Sequence, residues 1–229
     1  DNSVFVMFKH KAYMSEERRY VSFWSDIYKT EAAVYMLNSR YNDEALKPEC
    51  AYLSAGADDD DFFVSSTKAA FQLYATAKDS MQTKALGEMT KECKRAVEHG
   101  FTKEEFKRYQ DERISKLDNL MLKADKRENQ SLAQEYYNNY LYGTDIATME
   151  DYVAIMKQII LSTTLEDVNE RMRELIPMDE NNMVIGCWNI EKKDAEYPTR
   201  EELYTAYHAG INVETELYID DLKVNKLRS

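Results

Sequence analysis

The stretch that decides the fold is KRAVEHGFTKEE, residues 94–105, in which one helix ends and a second helix begins. Apolar residues recur at helical spacing upstream of it, and Gly100 follows them where glycine commonly ends a helix. Thr102 and Glu105 then form the T-x-x-E pattern of a capping box, which begins the next helix. The sequence therefore predicts two consecutive helices joined by the segment Gly-Phe-Thr.

The same stretch contains Arg95-Ala-Val-Glu98-His99, one residue away from the H-x-x-E-H motif of a class of zinc peptidases. That motif needs two neutral imidazoles on one helical face, whereas arginine stays protonated and cannot bind the ion. His99 also lies beside the predicted helix end at Gly100. We interpret the stretch as cations placed favourably at a helix C-terminus, and predict no catalytic residue and no metal ligand in this chain.

Other residues that could carry chemistry have simpler interpretations. His10 and His208 are isolated in sequence and are interpreted as ordinary histidines. The four aspartates at 58–61 lack the spacing and the glycine of a calcium loop, and we interpret them as the solvated tip of a hairpin. The tyrosine-rich segment 135–143 has the spacing of a packing stripe, either in the core or at an interface.

The composition limits the class of protein. The chain has 229 residues, 44% of them hydrophobic, and a net charge of −12, so a sizeable core is expected while nucleic acid and anionic membranes are excluded as main partners. No apolar run approaches the ~18 residues of a membrane span. Three widely spaced cysteines without a C-x-x-C motif are interpreted as buried free thiols: Cys50, Cys93 and Cys187.

The order of predicted elements indicates the fold class. A strand at 4–9 precedes a long helix, a β-hairpin follows within 51–77, and several helices lead to a last strand at 182–190. Because strands and helices are partly segregated along the chain, we predict an α+β fold with an antiparallel-rich sheet packed against several helices.

The composition shifts near residue 191, which suggests a boundary. We predict one α+β domain over 1–192 and a polar linker toward a following domain over 193–229, with a short helix capped by Thr199 and Glu202. The chain starts without an initiator methionine, and we expect that it is cut from a longer protein.

Several phrases, in this order, carry a family resemblance. They are MLNSRYNDEALKPECAYLSAGA (36–57), EMTKECKRAVEHGFTKEEFKRYQDERISKLDNL (88–120), SLAQEYYNNYLYG (131–143) and LSTTLEDVNERMRELIPMDENNMVIG (161–186). Together they resemble the second domain of the insulinase/pitrilysin-type zinc metallopeptidases, the inverzincins, over residues 4–192. The family's H-x-x-E-H motif maps to no position here, so the resemblance transfers no catalytic or metal-binding residue, and the substrate-binding residues stay unassigned.

The resemblance implies a role beside an active domain. Such enzymes pair related α+β domains, of the mitochondrial-processing-peptidase-like metallohydrolase type, into two bowl-shaped halves joined by a linker. The first domain holds the zinc, and the second lacks the zinc site and helps to wall the chamber that holds peptides. The expected cofactor is therefore none in this chain, with zinc in the first domain of the parent enzyme. The expected partners are that catalytic domain of the same polypeptide and a peptide substrate, in the periplasm or cell envelope of a bacterium.

A second hypothesis stays open at this point. The chain could instead belong to a metal-free structural or peptide-binding relative that pairs with an active peptidase partner. An H-x-x-E-H motif upstream of Asp1 in the parent sequence would favour the first hypothesis, and its absence would favour the second.

Overall fold

A computed structural model describes residues 2–65, 67–124, 129–177, 180–193 and 196–220. The strands are β1 (Ser3–Lys11), β2 (Tyr52–Asp61), β3 (Lys68–Ala77) and β4 (Met183–Trp188). The helices are α1 (Val21–Ala45), α2 (Gln82–His99), α3 (Lys103–Leu122), α4 (Asn129–Tyr142), α5 (Met149–Ser162), α6 (Leu165–Leu175) and α7 (Arg200–Asn212), with a 3₁₀ turn at Glu17–Arg19.

The described strands form one sheet in the order β2-β3-β1-β4, and every neighbouring pair is antiparallel. The β2–β3 pair is the predicted hairpin, while β4 returns from the far end of the chain to pair with β1. The predicted α+β class with an antiparallel sheet packed against helices is confirmed. β2 and β4 are the edge strands, and β4 is the shorter of the two.

The core lies between the helices and one face of the sheet, which we call the inner face. Val4 and Val6 of β1 and Leu73 of β3 point to this side and are fully buried. Tyr41 of α1 is also fully buried, and its hydroxyl donates a 3.0 Å hydrogen bond to the Met89 carbonyl of α2. This bond satisfies a polar group that would otherwise be costly to remove from water.

The junction in KRAVEHGFTKEE forms as predicted. Thr102 Oγ1 accepts a hydrogen bond from the Glu105 amide at 3.2 Å, and Glu105 Oε2 accepts one from the Thr102 amide at 2.7 Å. Gly100 has φ +74°, and a Cβ there would lie 2.7 Å from Asn169 Nδ2, so glycine is required at this helix end. The predicted Thr199–Glu202 capping box of α7 is confirmed as well.

A buried arginine links this junction to α1. Arg40 is fully buried, and its Nε and Nη2 bond to the two carboxylate oxygens of Glu105 at 2.7 and 2.9 Å. Nη2 also donates to the Gly100 carbonyl at 3.0 Å, while Nη1 lies 3.6 Å from Glu92 Oε1. Burial raises the pKa of Glu92, although Arg95 and Arg40 oppose that shift. The buried charges of Arg40, Glu105 and Glu92 are therefore stabilised by one another rather than by water.

The segment after α7, residues 213–220, crosses this site, and we call it the C-terminal strap. The Tyr218 ring centroid lies 4.2 Å from Arg40 Cζ, within cation–π range, and its hydroxyl donates to Asp43 at 2.9 Å. Lys94 donates to the Val213 carbonyl at 2.6 Å, and Arg108 pairs with Asp220. The strap thus covers the buried arginine.

The region predicted as a linker, 193–229, contributes to the packed domain in its described part. Leu203 and Tyr207 of α7 are buried in the core, and Gly210 lies so close to Thr90 of α2 that a Cβ would clash with its hydroxyl. That a further domain follows stays a prediction.

Two of the three cysteines match the prediction of buried free thiols. Cys50 and Cys93 are buried free thiols as predicted, while the free thiol of Cys187 is only half-buried.

Among the helices that the structure describes, none combines the length and apolar character that a membrane span needs.

Candidate functional site

The stretch that resembles a zinc motif binds the C-terminal strap. Arg95 Nη1 pairs with Glu92 at 3.0 Å. His99 Nε2 lies 2.8 Å from the Thr215 carbonyl oxygen, and the Thr215 hydroxyl donates to Glu98 Oε2 at 2.8 Å. In the described parts of the chain, no three His, Cys, Asp or Glu side chains form a group that could hold a metal ion. These residues therefore do not fit a zinc site.

The other two histidines each face one carboxylate. His10 Nε2 lies 2.7 Å from Asp59 Oδ1 across the sheet, and His208 Nε2 lies 2.9 Å from Glu180 Oε1. A single carboxylate partner makes an ion pair when the histidine is protonated, but it does not make a ligand set. Their described geometry gives neither histidine a catalytic arrangement.

The His10–Asp59 pair predicts a pH dependence. Burial lowers the pKa of His10, but the hydrogen bond and charge of Asp59 outweigh it, so the pKa lies above its ordinary value of 6.5. The protonated form therefore contributes stability that is fully present below 6.5 and is lost as pH rises through the folded pKa. We expect the difference in unfolding free energy between wild type and His10→Gln, from urea titrations, to be largest near pH 5 and to shrink as the pH rises above 6.5. A difference that grows with pH would contradict the pairing.

The prediction that residues 58–61 form a hairpin tip is wrong. All four aspartates lie within β2, and the turn of the hairpin comes after them, between Asp61 and Lys68. Asp59 and Asp61 pair with inner-face positions of β3, whereas Asp58 and Asp60 point to the opposite face. The last two aspartates, Asp60 and Asp61, are exposed to water at this edge strand, and charged edges also discourage pairing with other chains.

The tyrosine-rich segment does not pack in the described core. None of the residues of α4 is buried, and Tyr136 and Tyr140 are 66% and 87% exposed. The core interpretation is therefore wrong, and the alternative of an interface stays a prediction. Tyrosines spaced by four residues share a helix face, but that spacing does not decide whether anything covers the face.

A cavity of about 810 Å³ lies between α1, α4 and α5. Its lining includes Trp24 of α1, Glu135 of α4, and Met149 and Tyr152 of α5. We call it the helix-side cavity. Because α4 buries no side chain, one wall is held by few contacts, and such a wall positions a ligand less well than paired strands do.

The sheet face turned away from the core is the stronger candidate, and we call it the outer sheet face. Adjacent strands align its side chains in rows: Ser54, Thr76, Ser3 and Trp188; Gly56, Tyr74, Phe5 and Gly186; Asp58, Gln72, Met7 and Val184; Asp60, Ala70 and Lys9. Of these described residues, only Gly56 and Ala70 are buried. The larger side chains are exposed or half-exposed, as expected for a face that none of the described helices covers.

Aromatic side chains form a stripe across the outer sheet face. Trp188 is 71% exposed, and its ring centroid lies 6.2 Å from that of Phe5. The Phe5 ring lies over Gly186, where a Cβ would clash with it, and the Tyr74 ring lies over Gly56, where a Cβ would lie 2.7 Å from Cζ. The two glycines therefore let the rings lie flat along the sheet, which produces a smooth apolar surface.

Sequence reasoning missed this face, although one signal was available. The run VFVMF, residues 4–8, is apolar at every position, whereas a strand with one solvated face alternates apolar and polar residues. Val4, Val6 and Phe8 fill the core, and Phe5 and Met7 supply the outer sheet face. A continuously apolar strand predicts that both faces make contacts.

Comparison with solved structures supports the fold. No protein-family model and no curated protein matches the chain. The first half of the periplasmic protease PqqL from Escherichia coli superposes with a TM-score of 0.81 at 13% identity, covering 96% of this chain and 46% of that one. A predicted insulinase family protease from Yersinia pestis gives a TM-score of 0.72 at 12% identity, over 92% and 43% of the two chains. The chain thus spans less than half of each.

A domain described as inactive has the same fold. The inactive domain of an M16 peptidase from Pseudomonas fluorescens superposes with a TM-score of 0.52 at 14% identity, covering 82% of this chain and 41% of that one. At these identities the similarity establishes the fold alone. That fold is the one found in insulinase/pitrilysin-type proteases, and it occurs there in domains without activity as well, as the sequence resemblance predicts.

Proposed function

We propose that this chain is the second, non-catalytic domain of a zinc metalloendopeptidase, and that its outer sheet face is a wall against which the peptide substrate lies. The observation that carries the proposal is the aromatic stripe of Trp188, Phe5 and Tyr74 on the outer sheet face. The shared fold with inactive domains of such peptidases supports the non-catalytic role.

The chemistry of the outer sheet face suits a peptide. Contiguous exposed apolar surface on a folded domain commonly marks a binding site, and aromatic side chains contribute a large contact area with little loss of conformational entropy. Met7 and Val184 extend the apolar surface beside the rings. An extended peptide could lay alternate side chains on this surface, and the paired strands beneath would hold the surface rigid.

The catalytic chemistry would come from a companion domain. In the proposed enzyme, the first domain would hold a zinc ion, and that ion would supply an activated water for attack on the peptide carbonyl, with the motif glutamate available as base. This chain would position the peptide and exclude water. We place the parent protein in the periplasm or cell envelope, in line with the PqqL structure, which is described as that of a periplasmic protease.

The proposal predicts that aromatic residues of the outer sheet face bind peptides. We expect the triple variant Phe5→Ser, Tyr74→Ser, Trp188→Ser of the 229-residue chain to bind a labelled apolar peptide at least about tenfold more weakly than wild type. Fluorescence anisotropy with a nine-residue, blocked, extended peptide measures the affinity, and circular dichroism checks that the variant is folded.

A control variant uses exposed apolar residues that lie away from the outer sheet face. Leu46 directly follows α1 and Leu122 is the last residue of α3, and they are 84% and 82% exposed, so Leu46→Ser with Leu122→Ser should leave binding unchanged. Equal loss of binding in the control and the triple variant would mean non-specific adhesion and would refute the proposed surface. The second hypothesis, a metal-free assembly, predicts the same binding but a companion domain without zinc.

A further inference from the structure

Asp58 lies beside the aromatic stripe. It stands opposite Gln72 in the β2–β3 register, one row from Tyr74 on the outer sheet face. The Tyr74 phenol extends across the strand over Gly56, two residues before Asp58, and the charge of Asp58 raises the pKa of Tyr74 after the larger effect of burial. A carboxylate and an exposed aromatic ring therefore adjoin each other on the surface proposed to hold the peptide.

The negative charge of Asp58 is poorly compensated. Burial raises its pKa most, the Gln72 side chain lowers it by hydrogen bonding, and the neighbouring Asp60 and Asp59 raise it further. Its Oδ1 atom is buried and accepts no hydrogen bond from the described residues. On the same face, Lys9 extends toward the Phe62 ring, with Nζ 5.7 Å from the ring centroid. A cationic partner would stabilise the charged form of this partly buried carboxylate.

We propose, building on the peptide-binding function above, that Asp58 and Tyr74 form a subsite for a basic side chain of the bound peptide, with arginine preferred. The guanidinium would donate to the Asp58 carboxylate while its plane stacks on the Tyr74 ring. The remainder of the peptide would lie on Phe5, Met7 and Trp188. The net charge of −12 adds a long-range attraction for cationic peptides.

The test compares two blocked peptides that are identical except for one side chain, arginine in one and citrulline in the other. Citrulline keeps the shape of arginine and lacks its charge. We expect wild type to bind the arginine peptide about tenfold more tightly, because hydrogen bonds to charged groups are the stronger ones. Asp58→Asn should abolish the preference, and Tyr74→Leu should reduce it.

Asp60→Asn is the matched control, since Asp60 lies on the same strand and face two residues away and is exposed. It removes the same formal charge and should keep most of the preference. Equal affinities of wild type for the two peptides, or a preference that survives Asp58→Asn, would overturn the subsite while leaving the peptide-binding surface in place. If neither peptide binds wild type, the subsite and the proposed function fail together.

Discussion

Replacing Arg40 by alanine is expected to lower the free energy of unfolding by about 3–5 kcal/mol, the largest effect of any single substitution considered for this chain. Arg40 is fully buried and donates one hydrogen bond to each carboxylate oxygen of Glu105. Without it, Glu105 would remain in a low-dielectric interior with its cationic partner gone, and Glu92 would keep only Arg95.

The mechanism predicts how a second substitution should act. Glu105→Gln retains the reach of the capping box but removes the buried charge, so Arg40→Met with Glu105→Gln should be less destabilising than the sum of the two single changes. Urea unfolding of the four proteins of this double-mutant cycle measures the coupling. As a control, Lys107→Ala breaks an exposed pair with Asp111 and should lower the free energy of unfolding by less than about 1 kcal/mol. Strict additivity in the cycle would contradict a coupled buried pair.

Ending the chain after Asn212 is expected to lower the free energy of unfolding by about 2–4 kcal/mol, because the C-terminal strap is then lost. The deletion removes the Tyr218 ring from Arg40 and the Thr215 hydroxyl from Glu98. It also removes the carbonyl of Val213, which accepts from Lys94. The Arg40 site would then be exposed to water on the side that the strap covers.

Ending the chain after Asp220 is the matched control. That protein keeps the strap contacts described above, including the pair between Arg108 and Asp220, and its free energy of unfolding should lie within about 0.5 kcal/mol of that of the full chain. Thermal and urea unfolding of the two truncated proteins, measured side by side, give the comparison. If both truncations cost the same, the strap contributes nothing and the domain ends with α7.

Local chemistry explains which elements the sequence predicts. Two helices begin with a capping box whose residues are only three positions apart: Thr102 with Glu105, and Thr199 with Glu202. Because these contacts are local, the sequence pattern alone predicts them. Gly100 works in the same way, because a left-handed backbone position at a helix end selects glycine. The order of the predicted strands and helices along the chain then predicts the α+β class, and the resemblance to a peptidase family agrees with it.

Long-range contacts explain what the sequence does not predict. The Tyr218 ring contacts Arg40, which is far from it in sequence. A polar composition predicts a linker and does not reveal this contact, so the covering role of the C-terminal strap is not predicted. The position of 58–61 in a strand depends on pairing with β3, which overrides the weak strand propensity of aspartate. The outer sheet face depends on register across β1, β3 and β4, which no single segment contains.

The most direct test of the proposed peptide-binding wall uses the two tryptophans as reporters of the two candidate sites. Trp188 lies on the outer sheet face, and Trp24 lines the helix-side cavity. Their indole N–H signals are resolved by ¹⁵N-labelled NMR and can be followed while the arginine-containing peptide is added. We predict that the Trp188 signal shifts to saturation while the Trp24 signal stays in place. A shift of Trp24 with Trp188 unchanged would place the peptide in the cavity and would contradict the wall.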